Sequence, residues 1–337
     1  MASGRGARYP CRSLPPSPFP RHSRQNVGFP PSPPSGRGDG QNTVTVPVLL
    51  ASIPSPSSGT LDLGPVSIHM YGIMLLVGIA AAIGLAGLRW TRQGGDWDLV
   101  MRVAVWGVAA GVVGARLYHV ITSYDQLPDA WWGPFAVWKG GLGVWGGILF
   151  GAVAGALVAR RAGVSVAAFA DAAAPAILLA QGIGRWGNWW NQELFGKPSD
   201  LPWALEIDPV HRPAGYELAA TFHPIFLYEF LFDLAGVAIL LLVARRFAIR
   251  PPGLFALYVS YYTLGRLFEE QLRIDPSGHF LGQRVNFWVA LVTFLASTSF
   301  FVWRQFLGGR RIRPAPERPS AKGRAMAVPR GRVRPRR

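Results

Sequence analysis

The sequence reads as an all-α integral membrane protein with about seven transmembrane helices, and three observations carry that reading. Half of the 337 residues are hydrophobic and only 15% are charged, against about 25% charged in soluble domains. Seven stretches, at about 66–88, 103–122, 136–159, 164–184, 222–244, 253–270 and 285–306, approach the roughly 20 apolar residues that cross a bilayer. The net charge of +16 lies almost wholly in the two ends: residues 1–47 carry six Arg and one Asp, and residues 308–337 carry eleven Lys or Arg and one Glu.

The chain divides into three parts. Residues 1–47 form a Pro/Ser/Arg-rich extension without hydrophobic periodicity, expected to be disordered. Its apolar run at 44–53 is interrupted by Pro47 and followed by Pro54, a poor match to a secretory leader. Residues 48–307 form the membrane body, and 308–337 a basic tail, expected to be disordered and cytoplasmic.

Orientation follows from Lys and Arg in the connections. The first, third and fifth carry Arg89, Arg92 and Arg102, then Arg160 and Arg161, then Arg245, Arg246 and Arg250. With Arg304 and the tail, that side holds twenty cations against five on the other: Lys139, Lys197, Arg212, Arg273 and Arg284. The N-terminus is therefore expected outside and the C-terminus inside. The fourth connection, about 187–221, is long and mixes Trp189, Trp190, Trp203 and prolines, which suggests a small external cap. The basic tail alone would suit nucleic acid, but no nucleic-acid module accompanies it; contact with anionic membrane lipids explains it better.

The single cysteine, Cys11, lies in the Pro/Ser/Arg-rich extension, so neither an internal disulfide nor a thiolate metal cluster is available. No metal constellation of usable spacing occurs, and no cofactor is expected. The metalloprotease pattern His-Glu-x-x-His and the nucleophile pattern Gly-x-Ser-x-Gly are absent.

Charged side chains inside apolar stretches cost several kcal/mol and usually mark function. Arg185 ends the fourth stretch, and Arg185, Asn188 and Asn191 recur every three residues, so a helix places them on one face. Glu193 follows, among Gly182, Gly184, Gly187 and Gly196. One planar guanidinium, two amides and a carboxylate can grip a phosphate headgroup; the alternative is an arginine snorkelling to the interface. Tyr262, Arg266 and Glu270 are four apart and form one stripe of the sixth helix. An Arg266–Glu270 pair is either part of a site or a structural bridge. Arg116 near the end of the second stretch suits snorkelling and headgroup contact equally. His69 and Tyr71 stand at the start of the first stretch, Asp171 in the fourth is expected to be structural, and Glu229 in the fifth needs a partner.

The run Gly184-Arg-Trp-Gly-Asn-Trp-Trp-Asn-Gln-Glu-Leu-Phe-Gly196 resembles the Gly-Arg-x-Gly-Asn-(aromatic)-x-Asn-x-Glu-x-x-Gly motif of the bacterial prolipoprotein diacylglyceryl transferases. His69-Met-Tyr-Gly72, Gly114-Ala-Arg116, His223-Pro with Leu-Tyr-Glu229, and Arg266 with Glu270 are similar too, in the same order across about residues 48–307. The resemblance implies an enzyme of the bacterial inner membrane. It moves the sn-1,2-diacylglyceryl group of phosphatidylglycerol to the lipobox cysteine in a prolipoprotein signal peptide, forming a thioether and releasing glycerol 1-phosphate. It implies that Arg185 contacts the lipid phosphate, that Asn188 and Glu193 shape that site, that Arg266 and Glu270 form a second essential pair, and that Tyr71 lines the cavity. Asn191, Tyr262 and Arg116 join the candidate lipid-binding set, and His69 the catalytic one.

One position departs from the family. A His that often precedes Gly-Gly near the start of the third span is Trp145 here, in Lys139-Gly-Gly-Leu-Gly-Val-Trp145-Gly-Gly147. Indole cannot take a proton from a thiol. Either that His is dispensable, or another group such as His69 serves, or this copy is impaired. A transporter or flippase for a lipid or small anion is the rival class, favoured by glycine-rich spans with intramembrane charge. The absence of repeat symmetry and the one-sided polar groups weigh against it.

Overall fold

The computed structural model describes residues 52–308, apart from Pro65, Asp129, Trp138 and Lys139. The expectations for the extension at 1–47 with Cys11, for the tail beyond Gly308 and for Lys139 lie outside the described residues.

A β-hairpin of β1 (Thr60–Leu63) and β2 (Val66–His69) leads into α1 (Met70–Arg92), followed by α2 (Trp97–Thr122), α3 (Val144–Arg161) and α4 (Val166–Trp190). The two-residue strands β3 (Leu205–Glu206) and β4 (Thr221–Phe222) pair antiparallel in the connection to α5 (Ile225–Arg246). Then come α6 (Gly253–Leu272), a small hairpin of β5 (His279–Phe280) and β6 (Gln283–Arg284), and α7 (Val285–Val302), prolonged by a wide turn to Leu307. Six helices are long and apolar enough to cross a membrane. The other long helix, α6, has 20 residues but carries Arg266, Glu269 and Glu270 toward its end.

The expected stretches fall on the seven long helices, with corrections at several of their starts. Residues 66–69 are strand, so His69 stands at the N-cap of α1 rather than inside it. Residues 136–143 precede α3, because Gly140 and Gly141 adopt φ of 85° and 74°, a left-handed backbone that ends helical continuity.

Helix α1 packs on α4, α2 on α3, α4 on α5, and α6 on α7. The α2–α3 contact is made by glycines. A Cβ at Gly151 would come within 3.1 Å of the Gly107 carbonyl, and one at Gly111 within 3.4 Å of the Gly147 carbonyl. Small residues spaced by four let two backbones approach where no hydrophobic force drives helices together. Large apolar side chains such as Trp106, Val113, Leu149 and Val292 remain exposed on these helices, which suits a lipid environment.

Pro175 inside α4 has no N–H for the carbonyl of Asp171 four residues earlier. Arg89 of α1 supplies the missing donors: Nη2 bonds the Asp171 carbonyl at 3.3 Å and Nε the Ala172 carbonyl at 2.9 Å. The Asp171 carboxylate in turn accepts from the Phe255 amide at 2.8 Å, capping α6, whose own N-cap is Pro252 without a side-chain bond. Asp171 thus ties α1, α4 and α6 at one pole. Asp171→Ala is expected to destabilise the protein by about 1–2 kcal/mol, the value of a lost cap, measurable as a lowered midpoint of thermal unfolding in detergent.

The connection after α4 folds on itself into a small unit, termed the cap. Phe195, Leu205, Ile207, Phe222 and Phe226 make a separate apolar cluster with Trp186, Trp189 and Ile53. The segment before β1 belongs to it: Ile53 exchanges backbone hydrogen bonds with Ala204 and Glu206 at 2.8 and 2.9 Å, and Trp189 Nε1 donates to the Pro54 carbonyl at 3.2 Å. The Lys197 amide donates to the Leu272 carbonyl at 2.8 Å, fastening the cap to the end of α6.

Candidate active site

The C-terminal ends of α4 and α6, the N-terminal ends of α5 and α7, and the start of α1 meet under the cap. Arg185 of α4 forms an ion pair through Nε with Glu229 of α5. The other oxygen of Glu229 accepts from Arg266 Nη1 of α6 at 3.2 Å. Arg266 also pairs with Glu269 at 2.6 Å and, through Nη2, with Glu270. The chain of charge continues: Glu270 accepts from Arg284 Nε at 2.6 Å, Arg284 Nη2 bonds Asp275 at 2.9 Å, and Arg273 bonds Asp275 at 2.6 Å. Both carboxylates at its centre are buried, with side-chain exposures of 3% for Glu229 and 0% for Glu270.

Alternation of sign is what makes such burial tolerable. An unpaired charge there costs several kcal/mol, whereas each group in this series faces an opposite one. The pairing is not uniform along the series. Arg266 is surrounded by three carboxylates. Arg185 has only Glu229, on its Nε edge, and its two terminal nitrogens make no hydrogen bond among the described residues. That edge is a planar pair of donors held in place from behind.

The candidates of the glycine-rich motif gather beside it. Asn188 and Asn191 both donate their side-chain amides to Oε1 of Glu193, at 2.9 and 3.3 Å, folding the carboxylate back over the end of α4. Tyr71 lies against Gly187, where a Cβ would come within 2.6 Å of the ring, so glycine is required there. The ring is within electrostatic range of both Glu193 and Arg185. Tyr262, one turn before Arg266, stands among Arg185, Arg266, Glu229 and Glu269.

Two candidates do not join this group. Arg116 directs its guanidinium at four backbone carbonyls, of Gly133, Pro134, Gly140 and Gly141, at 2.6–3.0 Å. It is 6% exposed. It anchors the connection between α2 and α3, so its donors do not face a headgroup. His69 is exposed at the end of the β1–β2 hairpin and makes no side-chain bond among the described residues. Trp145, on the first turn of α3, is 58% exposed and lies outside the charged series.

Sequence reasoning misses five members. Glu269 is hidden beside Glu270. Arg273 and Arg284 read as loop cations, and Asp275 carries no signal of its own. Glu229 was seen to need a partner, but its two arginines lie 44 and 37 positions away in the chain. The signal available for Arg284 was its place directly before an apolar run.

A family model described as prolipoprotein diacylglyceryl transferase matches residues 59–303. The chain belongs to this family. It is 48% identical over 260 residues to the phosphatidylglycerol–prolipoprotein diacylglyceryl transferase 2 of Streptomyces coelicolor, covering 75% of this chain and 81% of that protein. It is 50% identical over 252 residues to a transferase of the same name from Frankia alni, covering 73% and 65% of the two chains. The Cutibacterium acnes counterpart is 46% identical over 272 residues, covering 80% and 91%. The matched range spans the charged series from Arg185 to Arg284.

His223 and Asp275, outside the helices, have shifted titration. His223 bonds the Tyr228 hydroxyl through Nδ1 at 3.1 Å. Burial and the nearby Lys197 charge lower its pKa, which favours neutral imidazole at pH 7. Burial raises the Asp275 pKa, but Arg273 and Arg284 outweigh burial and hold it below the usual carboxylate range. A depressed carboxylate contributes stability above its unfolded pKa of about 3.9, lost as pH falls through the folded value. Asp275→Asn is therefore expected to lower stability by about 1–3 kcal/mol at pH 7. Its difference from wild type should shrink as pH falls below about 4 and disappear once the carboxylate is protonated in the folded state too, read from unfolding midpoints across pH.

Proposed function

We propose that the protein transfers the sn-1,2-diacylglyceryl group of phosphatidylglycerol to the lipobox cysteine of prolipoproteins, at the outer leaflet of a bacterial inner membrane. The observation that carries this reading is the free terminal edge of Arg185, held by Glu229 inside the family's glycine-rich motif. The working arrangement has seven spans, α6 included, with the N-terminus outside and the C-terminus inside. Lys and Arg placement supports that orientation. The N-terminal extension and the C-terminal tail are flanking segments around a catalytic body of residues 48–307.

The lipid phosphate takes the terminal nitrogens of Arg185. Asn188, Asn191 and Glu193 shape the headgroup site, and Tyr71 and Tyr262 line it. The lipobox thiol gives its proton to the carboxylate of Glu229 or Glu269, which share Arg266 as a partner. A free thiol has a pKa of about 8.5 and only the thiolate attacks. Bringing it near 7 takes about 2 kcal/mol, a modest demand beside Arg185 and Arg266 at low dielectric.

The sulfur then attacks the glyceryl carbon that bears the phosphate ester. The C–S bond forms as the C–O bond breaks, and the electron pair leaves on the phosphate oxygen. The headgroup charge rises from one to two as glycerol 1-phosphate departs, and Arg185 stabilises the added charge. Arg266, with Glu270, keeps the carboxylate group in place. No step needs an imidazole, which supports the view that the family's usual His is dispensable where Trp145 stands. The transport reading has no specific observation in its favour: the charged series occupies one pole and does not continue through the bundle.

The test is mass spectrometry of a lipobox peptide incubated with purified protein and phosphatidylglycerol. A diacylglyceryl mass on the cysteine is expected, with glycerol phosphate released in equal amount. An unmodified peptide in the presence of folded protein would overturn the reading and bring lipid transport forward.

A further inference from the structure

A second basic site lies at the opposite pole. Arg245 follows Glu229 by 16 positions along α5, which at about 1.5 Å per residue is roughly 24 Å along the helix. That is most of the ~30 Å hydrocarbon thickness of a bilayer. Here the last turns of α1 and α5 enclose a groove of about 220 Å³ lined by Leu85, Leu88, Arg89, Arg92, Leu241 and Arg245, among others.

Three features give the groove a ligand chemistry. First, its lining contains three guanidinium groups and no carboxylate. The nearest acid, Asp171, is engaged with the Phe255 amide. Second, Arg89 is fixed by its bonds to the Asp171 and Ala172 carbonyls, while Arg92 and Arg245 have no bonded partner among the described residues. Third, the leucines continue from the arginines toward the middle of the bundle, and Leu88 is 52% exposed. Arginines at helix ends often only offset the helix dipole. Two helix C-termini present about half a negative charge each, and three arginines exceed that by roughly two charges.

We propose that this groove binds an anionic glycerophospholipid of the leaflet opposite the Arg185 site. Its phosphate rests on Arg92 and Arg245 beside the fixed Arg89, and an acyl chain lies along Leu85, Leu88 and Leu241. Basic pockets between membrane helices recognise anionic headgroups in this way. The occupant is a lipid rather than free phosphate because the apolar wall needs cover and the cations stand at its edge. The site is separate from the transfer reaction proposed above.

Native mass spectrometry of the full chain tests it, with phosphatidylglycerol or phosphatidylcholine titrated into detergent micelles. An Arg185→Ala background removes the phosphate contact at the other pole. One phosphatidylglycerol adduct is expected to persist there. It should weaken about thirtyfold in Arg92→Gln/Arg245→Gln, from roughly fivefold per basic residue at an anionic surface. Both side chains are exposed and unbonded among the described residues, so the variant keeps the helix contacts. Three results would each overturn the proposal: equal binding of phosphatidylcholine, an adduct indifferent to the double substitution, or displacement by millimolar inorganic phosphate. A chain with Arg185 intact that keeps this adduct but fails to lipidate a lipobox peptide would count against the transferase reading alone.

Discussion

Arg185→Ala is expected to lower diacylglyceryl transfer by about a thousandfold while leaving the protein folded. Removing one preorganised donor to a developing anion costs on the order of 10²–10³ in rate, and a charged donor stands at the upper end. Folding should survive because Glu229 keeps its second partner, Arg266, at 3.2 Å. The effect should fall mainly on kcat, since the phosphate gains its second charge only as the C–O bond breaks. Arg185→Lys is the more informative change. An ammonium retains the charge, but it cannot both hold Glu229 and present two coplanar donors to a phosphate. Roughly a hundredfold loss is expected, and initial rates of thioether formation by mass spectrometry measure it. A lysine variant with wild-type kcat would sink the two-pronged contact and leave only a requirement for charge.

The chain announced its helices and the parts of its site that lie on single helices. Arg185, Asn188 and Asn191 share a face because α4 runs unbroken to Trp190, and Arg266 reaches Glu270 because they are one turn apart. Composition and local period suffice for such relations. What joins the two halves was not legible. Glu229 sits on a third helix, and no local pattern says which arginine a distant carboxylate will meet. Arg116 shows the same limit in reverse. Its position within an apolar run suits snorkelling or a headgroup contact equally, yet four carbonyls of a glycine-bearing connection take its donors. A loop bends back on a helix for reasons of backbone conformation, as at Gly140 and Gly141, that residue spacing does not encode. The hairpin at 60–69 is not legible because its second strand runs directly into the apolar helix α1.

The second large effect is expected at Glu229, and its character differs from that at Arg185. Among the described residues, Glu229 is the only carboxylate paired with both arginines. Glu229→Gln removes one negative charge and places an N–H₂ group where a carboxylate oxygen accepted. Arg185 then has no ion pair among the described residues, while Arg266 still has Glu269 and Glu270. Breaking a buried ion pair from one side typically costs about 3–5 kcal/mol, because the surviving charge stays in low dielectric without compensation. Glu229→Gln is therefore expected to lose both stability and activity. The unfolding midpoint in detergent should fall, with transfer reduced by at least the hundredfold predicted for Arg185→Lys. Glu229→Asp keeps the charge on a shorter arm and should recover much of the stability, though less of the rate, since the Arg185 plane is no longer fixed from the same distance. Combining Glu229→Gln with Arg185→Ala separates the two contributions. If the carboxylate chiefly compensates Arg185, the double variant is more stable than Glu229→Gln alone, because no unpaired guanidinium remains. A double variant no more stable than the single one would place the main burden of Glu229 on Arg266, and with it the proton-accepting pair rather than the phosphate contact.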